Sequence, residues 1–541
     1  MSLKNQYDIC IIGGGIAGLN TAYQLSKLKT NLSIALFEKS NKFGGRIQTY
    51  KNKVKGQSII VNEGAGRFSE YHLHLISLLK NLGLDHKIAE NPNKYQFIKN
   101  SKVIPKILEK RDKIIREIIN YSKKDEQKIV QSMYLYDYIK FRLGNKKAEL
   151  IKETFPYDGE VSKTNAYDAI RMFEKDFHPD TKHFTLIGGM HLIISKLVQE
   201  LKKTNIKLFL NTNILDISKI TTVNKSNNNF NIDLFTQTKD KKFIEKNIKC
   251  KILISAVPGS SLKQWFITKS LKKELNSINL IPLLRIYQMY KTKNNKSWFD
   301  NIPITITNNK VHYVIPINKK NGVIMSSYTD SRYAKKWNKN IIDNTLEKDL
   351  QKNLNITFKN QIEEENIPEA ILTKYFYWNE GVAGWKKNID SHAVSCKLIH
   401  PFANFYTCGE NYSMFQAWSE GALETSNAVL TKLKQNPYVL DFLTKKNEKE
   451  LSKLISKKLI GSGNKKITKE EVAKHNTRKS AWMIIEKKVY DVTKWIPIHP
   501  GGEIIMKGVG KDATKLFNGG QHPPYVKETI LPKFYIGDLA K

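Results

Sequence analysis

The sequence predicts an α/β protein with an inserted α+β layer, followed by a small, separate α+β domain. Three observations carry that expectation. A glycine-rich turn, "IIGGGIAGLN", lies between an apolar strand and a helical segment near residue 10. Strand and helix patterns that belong with such a turn recur far downstream, around residues 186–262 and 405–430. The composition then changes after Leu430, where a Lys-rich segment leads into a stretch centred on "WIPIHPGGE". At 541 residues the chain is too long for one hydrophobic core, and three domains are expected.

The first element, "YDICIIGGGIAGLNTAYQLSKL", reads as strand, turn and helix. Its strand is apolar from Ile9 to Ile12, as a buried parallel strand requires. Gly13, Gly15 and Gly18 form G-x-G-x-x-G. Gly13 permits the tight turn, Gly15 lets the backbone approach a pyrophosphate, and Gly18 lets the helix pack close to its strand. Ala17, between the last two glycines, is read with them as part of the binding turn, and the helix N-terminus offers its N–H groups to phosphate. A second strand, "LSIALFEKS", ends at Glu38, twenty residues after Gly18. A carboxylate there accepts hydrogen bonds from ribose hydroxyls and repels a 2′-phosphate. Strand, helix, second strand and acid are all in place, so a bound dinucleotide is expected.

The next segments narrow the choice. "NKFGGRIQTY" supplies Gly44, Gly45 and Arg46, more bare backbone and a cation beside the cofactor. "VNEGAGRFSEYHLHLISLLKNLGL" follows, with Gly64, Ala65 and Arg67. At these residues the chain resembles the flavin-containing amine oxidase superfamily, which includes monoamine and polyamine oxidases, L-amino-acid oxidases, protoporphyrinogen oxidases and phytoene desaturases. The resemblance returns in "LIGGMHLIISKLVQEL", in "LFLNTNILDISKI", in "ILISAVPGSSL" and in "FYTCGENYSMFQAWSEGALETSNAVL". It implies FAD as cofactor. The Glu-Gly-Ala segment would lie along the flavin and the backbone near Ile214 would contact adenine. Gly409 and Glu410 would meet the pyrophosphate and ribityl chain. The last helix, with Gly421 and Ala422, would point its N-terminus at the flavin. The resemblance covers roughly residues 5–435.

It also directs attention to four side chains at the reactive face. Trp385 and Trp418 are either core tryptophans or the two rings with which family oxidases flank the isoalloxazine. Arg285, in "PLLRIYQMYK", stands where amine oxidases place a Lys bonded through water to flavin N5. An arginine does not deprotonate and is no conservative replacement, which puts ordinary oxygen-using amine oxidation in doubt. A structural salt bridge is the other reading of Arg285. Arg67 matches an arginine that binds the substrate carboxylate in L-amino-acid oxidases, a task its bidentate fork suits. It could equally pair with a structural acid or support the flavin. The Ser-Gly-Gly-Cys-Tyr context of covalent flavin attachment is absent from the sequence, so non-covalent FAD is expected.

The tail begins with "LTKKNEKELSKLISKKLI", in which Leu451, Leu454, Ile455 and Leu459 recur at helical spacing, and with the hinge "GSGNKK". "AWMIIEKKVYDVTKW" then reads as a strand, a Lys-Lys turn and a strand. His499 precedes Pro500-Gly501-Gly502, and His522 follows 23 residues later in "NGGQHP". This tail resembles cytochrome b5 over residues 466–541. The resemblance implies a b-type haem whose iron takes His499 and His522 as its two axial ligands. With both positions filled by protein, such a centre moves single electrons.

The expected organisation is therefore a flavin amine oxidase-like module over 1–435, a helical linker and hinge over 436–465, and a b5-like domain over 466–541. Within the first module, FAD-binding parts at about 5–90, 183–262 and 395–435 alternate with substrate-domain parts at about 91–182 and 263–394. The four cysteines are scattered without a CxxC pair, which argues for a reducing, cytoplasmic setting and against zinc or disulfides. No signal peptide is expected in "MSLKNQYD", and no apolar run reaches transmembrane length.

The net charge is +38, of which +28 falls on residues 1–435. It is mostly Lys in an Asn- and Ile-rich chain, as an AT-biased genome produces. Nucleic acid is not the expected partner, while peripheral contact with an acidic membrane stays open. The expected function is oxidation of an organic substrate, an amine, amino acid or related compound. Electrons would pass one at a time to the haem and on to an external acceptor such as a redox protein, with the reverse direction also open. Two alternatives remain: an oxygen-using amine or amino-acid oxidase whose b5 domain docks or regulates, and a non-enzymatic basic membrane- or nucleic-acid-binding protein.

Overall fold

A computed structural model of the chain describes residues 3–28, 31–92, 94–220, 229–237, 241–362, 365–436, 438–439, 466–493, 495–496, 499, 502–519, 522, 526–527 and 531–540. The apolar helical pattern at 451–459 and the hinge at 461–465 lie outside the described residues, as do Pro500 and Gly501. The chain divides into two compact units, Met1–Leu440 and Asp441–Lys541.

The first unit is built on two large sheets. In one, strands Lys207–Phe209, Ile34–Phe37, Gln6–Ile12 and Phe243–Ser255 run parallel, and Asn229–Gln237 and Thr212–Ile220 continue it antiparallel. Phe405–Thr407 adds a further parallel strand against Phe243–Ser255. The apolar run beginning the chain sits at its centre, with Ile9 facing Ile34 on one side and Ile252 on the other. Ile9, Cys10 and Ile11 are fully buried, as strands covered on both faces must be. The segment at 207–220 forms two strands rather than one, because Asn211 adopts a left-handed φ of 50° between them.

The second sheet orders Leu372–Trp385, Ile278–Met289, Val323–Asp330, Tyr313–Asn318, Ile304–Thr307, Tyr95–Lys99 and Lys102–Val103. Its pairings are antiparallel except that between Ile304–Thr307 and Tyr95–Lys99. Helices Ile107–Ser122, Leu135–Leu143, Asn145–Thr154 and Ala166–Lys175 pack against it. Ile114, Ile115, Ile118 and Ile119 form the buried stripe of the first of these, the spacing of one helical face. The α/β sheet with this α+β layer is the class the sequence predicts.

The second unit is a curled five-stranded sheet in the order Lys466–Ile467, Tyr535–Leu539, Lys488–Asp491, Ser480–Ile485 and Asn476–Thr477. Alternation along Ser480–Ile485 sends Ala481, Met483 and Ile485 into one apolar cluster and Ile484 into another. Thr468 caps helix Lys469–Lys474, its side chain accepting from the Glu471 N–H at 3.2 Å. The hairpin turn differs from the Lys-Lys turn expected. Glu486 and Lys487 occupy it, with φ of 52° and 64°, while Lys488 already pairs with Ile485 in the next strand. Two positive φ values give the twist that a two-residue hairpin needs. Among the described residues no helix is long and apolar enough to cross a membrane.

Candidate functional site

A cavity of about 1380 Å³ opens in the first unit, larger than the ~300–1,000 Å³ of an ordinary small-molecule site. One end is walled by backbone. Gly13, with φ 107°, carries the chain from its strand, and a Cβ there would lie 2.6 Å from the Ala256 carbonyl oxygen. Gly18 does not line the cavity; it fits helix Ile16–Lys27 against the turn, since a Cβ would come within 2.0 Å of the Gly13 oxygen. Gly15 is different: a Cβ there would meet no protein atom within 4 Å, because the position opens onto the cavity. Ala17 and Ile214 line the same end.

Glu38 joins this end from the neighbouring strand. Its Oε2 accepts the Gly14 N–H and its Oε1 the Ser40 N–H, both at 2.8 Å. A carboxylate offers about four acceptor sites, so Glu38 fixes the turn and keeps capacity for ribose hydroxyls. Gly44 donates to the Gly14 carbonyl at 2.8 Å, which brings the Gly44-Gly45-Arg46 segment alongside the turn. The cavity has the bare backbone, helix N-terminus and acid that a dinucleotide requires, and FAD fits these residues.

Further in, Arg46 is ordered by Glu410. The guanidinium reaches the Glu410 Oε2 and the Gly381 carbonyl, each at 2.9 Å. Glu410 also accepts N–H groups from Ala383 and Ala417 and the Asn411 amide. Its acceptor sites are filled, so its side chain organises this wall and has nothing left for a ligand. Gly64, Ala65, Gly409 and Ala422 line the cavity here. No side chain caps the closing helix, Ser419–Lys434.

The other end is walled by side chains. Arg67 donates to the Tyr157 hydroxyl at 2.5 Å and lies between the Tyr157 and Trp418 rings, 5.6 and 5.7 Å from their centroids. Arg285 is buried, its guanidinium 4.5 Å over the Tyr328 ring, with the Asn62 carbonyl at 3.3 Å and the Tyr287 hydroxyl at 3.4 Å. Among the described residues no carboxylate pairs with either arginine. The salt-bridge reading of Arg285 is thereby corrected: aromatic and carbonyl oxygen groups, not an acid, hold it. Burial opposes both charges, but the surrounding tyrosine oxygens outweigh it and keep both guanidinium groups protonated.

Trp418 lines the cavity with a buried indole N–H that has no hydrogen-bond partner. Trp385 does not line it. The ring is fully buried in the sheet core, pairs across the strands with Ile278, and donates to the Ser413 carbonyl at 3.1 Å. Its expected place beside the ligand is therefore corrected to a core position. Trp378, seven residues earlier on the same strand, does line the cavity, with its N–H on the Glu63 carbonyl at 2.8 Å. Neither it nor Tyr157, Tyr313 and Tyr328 stands out in the sequence; Tyr157 packs edge to face against Tyr313 and Tyr328, which stack on each other. Trp378, Tyr313 and Tyr328 are aromatic residues of strands whose partners lie far away in the chain, and Tyr157 precedes a short helix, so none carries a motif.

The same end holds two buried acids. Asp330 accepts the Asp158 and Gly159 N–H groups at 2.9 and 3.0 Å, at the start of helix Asp158–Ser162. Glu160 lies on that helix, and its Oε2 is buried without a hydrogen-bond partner among the described residues. Burial pushes the Glu160 carboxyl up to about 7, with the Asp158 charge adding to the shift and a hydrogen bond from Asp330 opposing it; burial and the Glu160 and Asp158 charges raise the Asp330 carboxyl well above the usual range.

The second unit brings His499 and His522 together. Their ring centroids are 6.2 Å apart and their planes 52° apart. Two imidazoles that share one metal at bonds of about 2 Å would have their ring centroids roughly 6 Å apart. His522 Nδ1–H donates to the Phe517 carbonyl at 2.8 Å, and the ring stacks on Phe517. That bond fixes the tautomer and leaves Nε2 as the ring atom able to ligate a metal. The pair fits a haem iron.

Comparison with known proteins finds one family in each unit. Residues 16–429 match the family model described as flavin containing amine oxidoreductase, and residues 468–540 match the cytochrome b5-like heme/steroid binding domain. The chain is similar to an acyl-lipid (8-3)-desaturase of Physcomitrium patens, 51% identical over 76 residues, covering 14% of this chain and 15% of that protein. It is similar to a cytochrome B5-like protein of Arabidopsis thaliana, 47% identical over 75 residues, covering 14% of this chain and 61% of that one. The matches thus span only part of these relatives' lengths. In fold it is similar to a putrescine oxidase bound to putrescine, with a TM-score of 0.60, 15% identity, and coverage of 79% of this chain and 99% of that chain.

Proposed function

Because the chain belongs to the flavin containing amine oxidoreductase family and carries a cytochrome b5-like haem domain, we propose that it oxidises an amine, amino acid or related compound and exports the electrons singly through its haem. It is an FAD-dependent oxidoreductase. The observation that carries the substrate reading is Arg67, a guanidinium without a carboxylate partner in the same cavity as the glycine turn. FAD, when bound, takes up a hydride or its equivalent and gives electrons up one at a time, the exchange a haem relay needs.

The chain's own residues do the rest. Gly15 admits the pyrophosphate, Gly13 and Gly44 shape the turn around it, Glu38 holds the ribose, and Arg46 is aimed by Glu410. Non-covalent binding is supported by the cysteines, since none of the four lines the cavity. Arg67 anchors a substrate carboxylate against the Tyr157 and Trp418 rings, and Arg285 keeps a fixed positive charge on the wall. His499 and His522 would hold the haem iron, and a haem held by two protein ligands would supply single-electron transfer.

Anaerobic titration of the holoprotein with amines and amino acids, followed by absorbance, tests this. Substrate should bleach the flavin bands and then raise the reduced-haem bands. Flavin bleaching with the haem left oxidised, together with stoichiometric hydrogen peroxide under air, would replace the relay with an oxygen-using oxidase.

A further inference from the structure

Glu160 and Asp330 both line the cavity, and among the described residues neither forms an ion pair with a basic side chain, although the Arg67 charge acts on Glu160. Asp330 is 2% and Glu160 5% exposed. Asp330 uses its two oxygens on backbone N–H groups, whereas Glu160 Oε2 has none. The charged groups that face the pair are Asp158, itself held by Arg332 at 3.3 Å, and Arg67. Two carboxylates buried side by side do not both stay ionised without a counter-cation. They share a proton, or a cation reaches them through the cavity.

We propose that Glu160 and Asp330 form the subsite for an ammonium group of the ligand, so that the cavity receives a zwitterion with its carboxylate on Arg67. This rests on the amine or amino-acid reading above and deepens it. Burial of both carboxyls leaves a proton shared on the empty pair near neutral pH. When an alkylammonium enters as R–NH₃⁺, that proton leaves for solvent and the ammonium N–H groups take its place. One cation enters and one proton departs, so the charge of the pocket is unchanged. The pocket then selects against simple acids, which leave the pair unfilled, and against simple diamines, which leave Arg67 unfilled.

The test uses FAD-loaded full-length protein under anaerobic conditions at pH 7. Titration calorimetry with n-butylammonium chloride and with sodium butyrate, each in two buffers of different ionisation enthalpy, counts the protons released. Butylammonium should release about one proton per molecule bound. Glu160→Gln should weaken it roughly thirtyfold and abolish the release, while butyrate binding persists. Arg67→Leu should do the reverse. Asp330→Asn provides a second variant, with flavin absorbance reporting the fold. Wild-type affinity and proton count for butylammonium in both acid variants would overturn the subsite. If butyrate binds and butylammonium does not, the subsite falls while a carboxylate-bearing substrate stands. If neither binds, the amine and amino-acid reading falls with it.

Discussion

The two ends of the flavin-unit cavity are made of different material. At one end Gly13, Gly15, Gly44 and Gly45 present backbone, and their positive φ values or missing side chains set its shape. At the other, Arg67, Arg285, Tyr157, Trp418, Glu160 and Asp330 present side chains drawn from five separate segments. A backbone site depends on residues that cannot be anything else, because any Cβ would collide with the protein or fill the ligand's space. A side-chain site depends on juxtaposition, since each of its residues would be unremarkable alone. The first kind should fail completely when broken; the second should respond in degrees.

The largest effect is expected at Gly15. Because no protein atom lies within 4 Å of a Cβ there, Gly15→Val should fold normally and project its methyl groups into the cofactor's space. Purification should yield protein without flavin absorbance and with unchanged far-ultraviolet circular dichroism. A valine variant that purifies fully loaded would move the cofactor away from this turn.

The haem pair sharpens the contrast, because it is a side-chain site with a short local spacing. His499→Ala or His522→Ala should abolish the low-spin Soret and α bands and leave the flavin spectrum intact. A normal six-coordinate spectrum in both variants would remove the ligand assignment.

Arg285 should give the smallest change. If its fixed charge lies beside the flavin, it favours the anionic reduced form, and Arg285→Met should lower the flavin potential by about 30–90 mV. Arg285→Lys should raise reactivity with oxygen. Potentiometry and oxygen-electrode traces on both variants decide this, and unchanged values would place Arg285 away from the redox centre.

The same contrast governs how much was legible beforehand. The glycine turn, Glu38, the parallel strands and the two histidines could be read because each is fixed by local spacing. The α/β class with a small α+β tail followed from them. Trp385 was misplaced because a tryptophan near the end of a strand reads alike whether it faces core or cavity; only the pairing with Ile278 shows the core side. Trp378, Tyr313 and Tyr328 do not stand out in the sequence for the same reason. Glu160 had no motif around it. Its meaning comes from Asp330, 170 positions away in sequence, and from a wall that neither residue encodes. The hairpin was placed one residue too late because "EKK" carries no glycine or asparagine to mark the left-handed positions, which Glu486 and Lys487 adopt.

Glu410 also sets a timetable for biosynthesis. It joins Arg46, beside the glycine turn, to Ala383 and Ala417. On the ribosome Arg46 emerges 364 residues ahead of that carboxylate, an interval of roughly 20 to 70 s at about 5–20 residues per second. Throughout it the nascent chain has its phosphate turn but not the clamp that finishes the wall. Cofactor capture thus belongs to the last stage of translation or to the released chain. A messenger truncated ahead of the Glu410 codon would yield a product that has the nucleotide motif and lacks the means to close over its ligand.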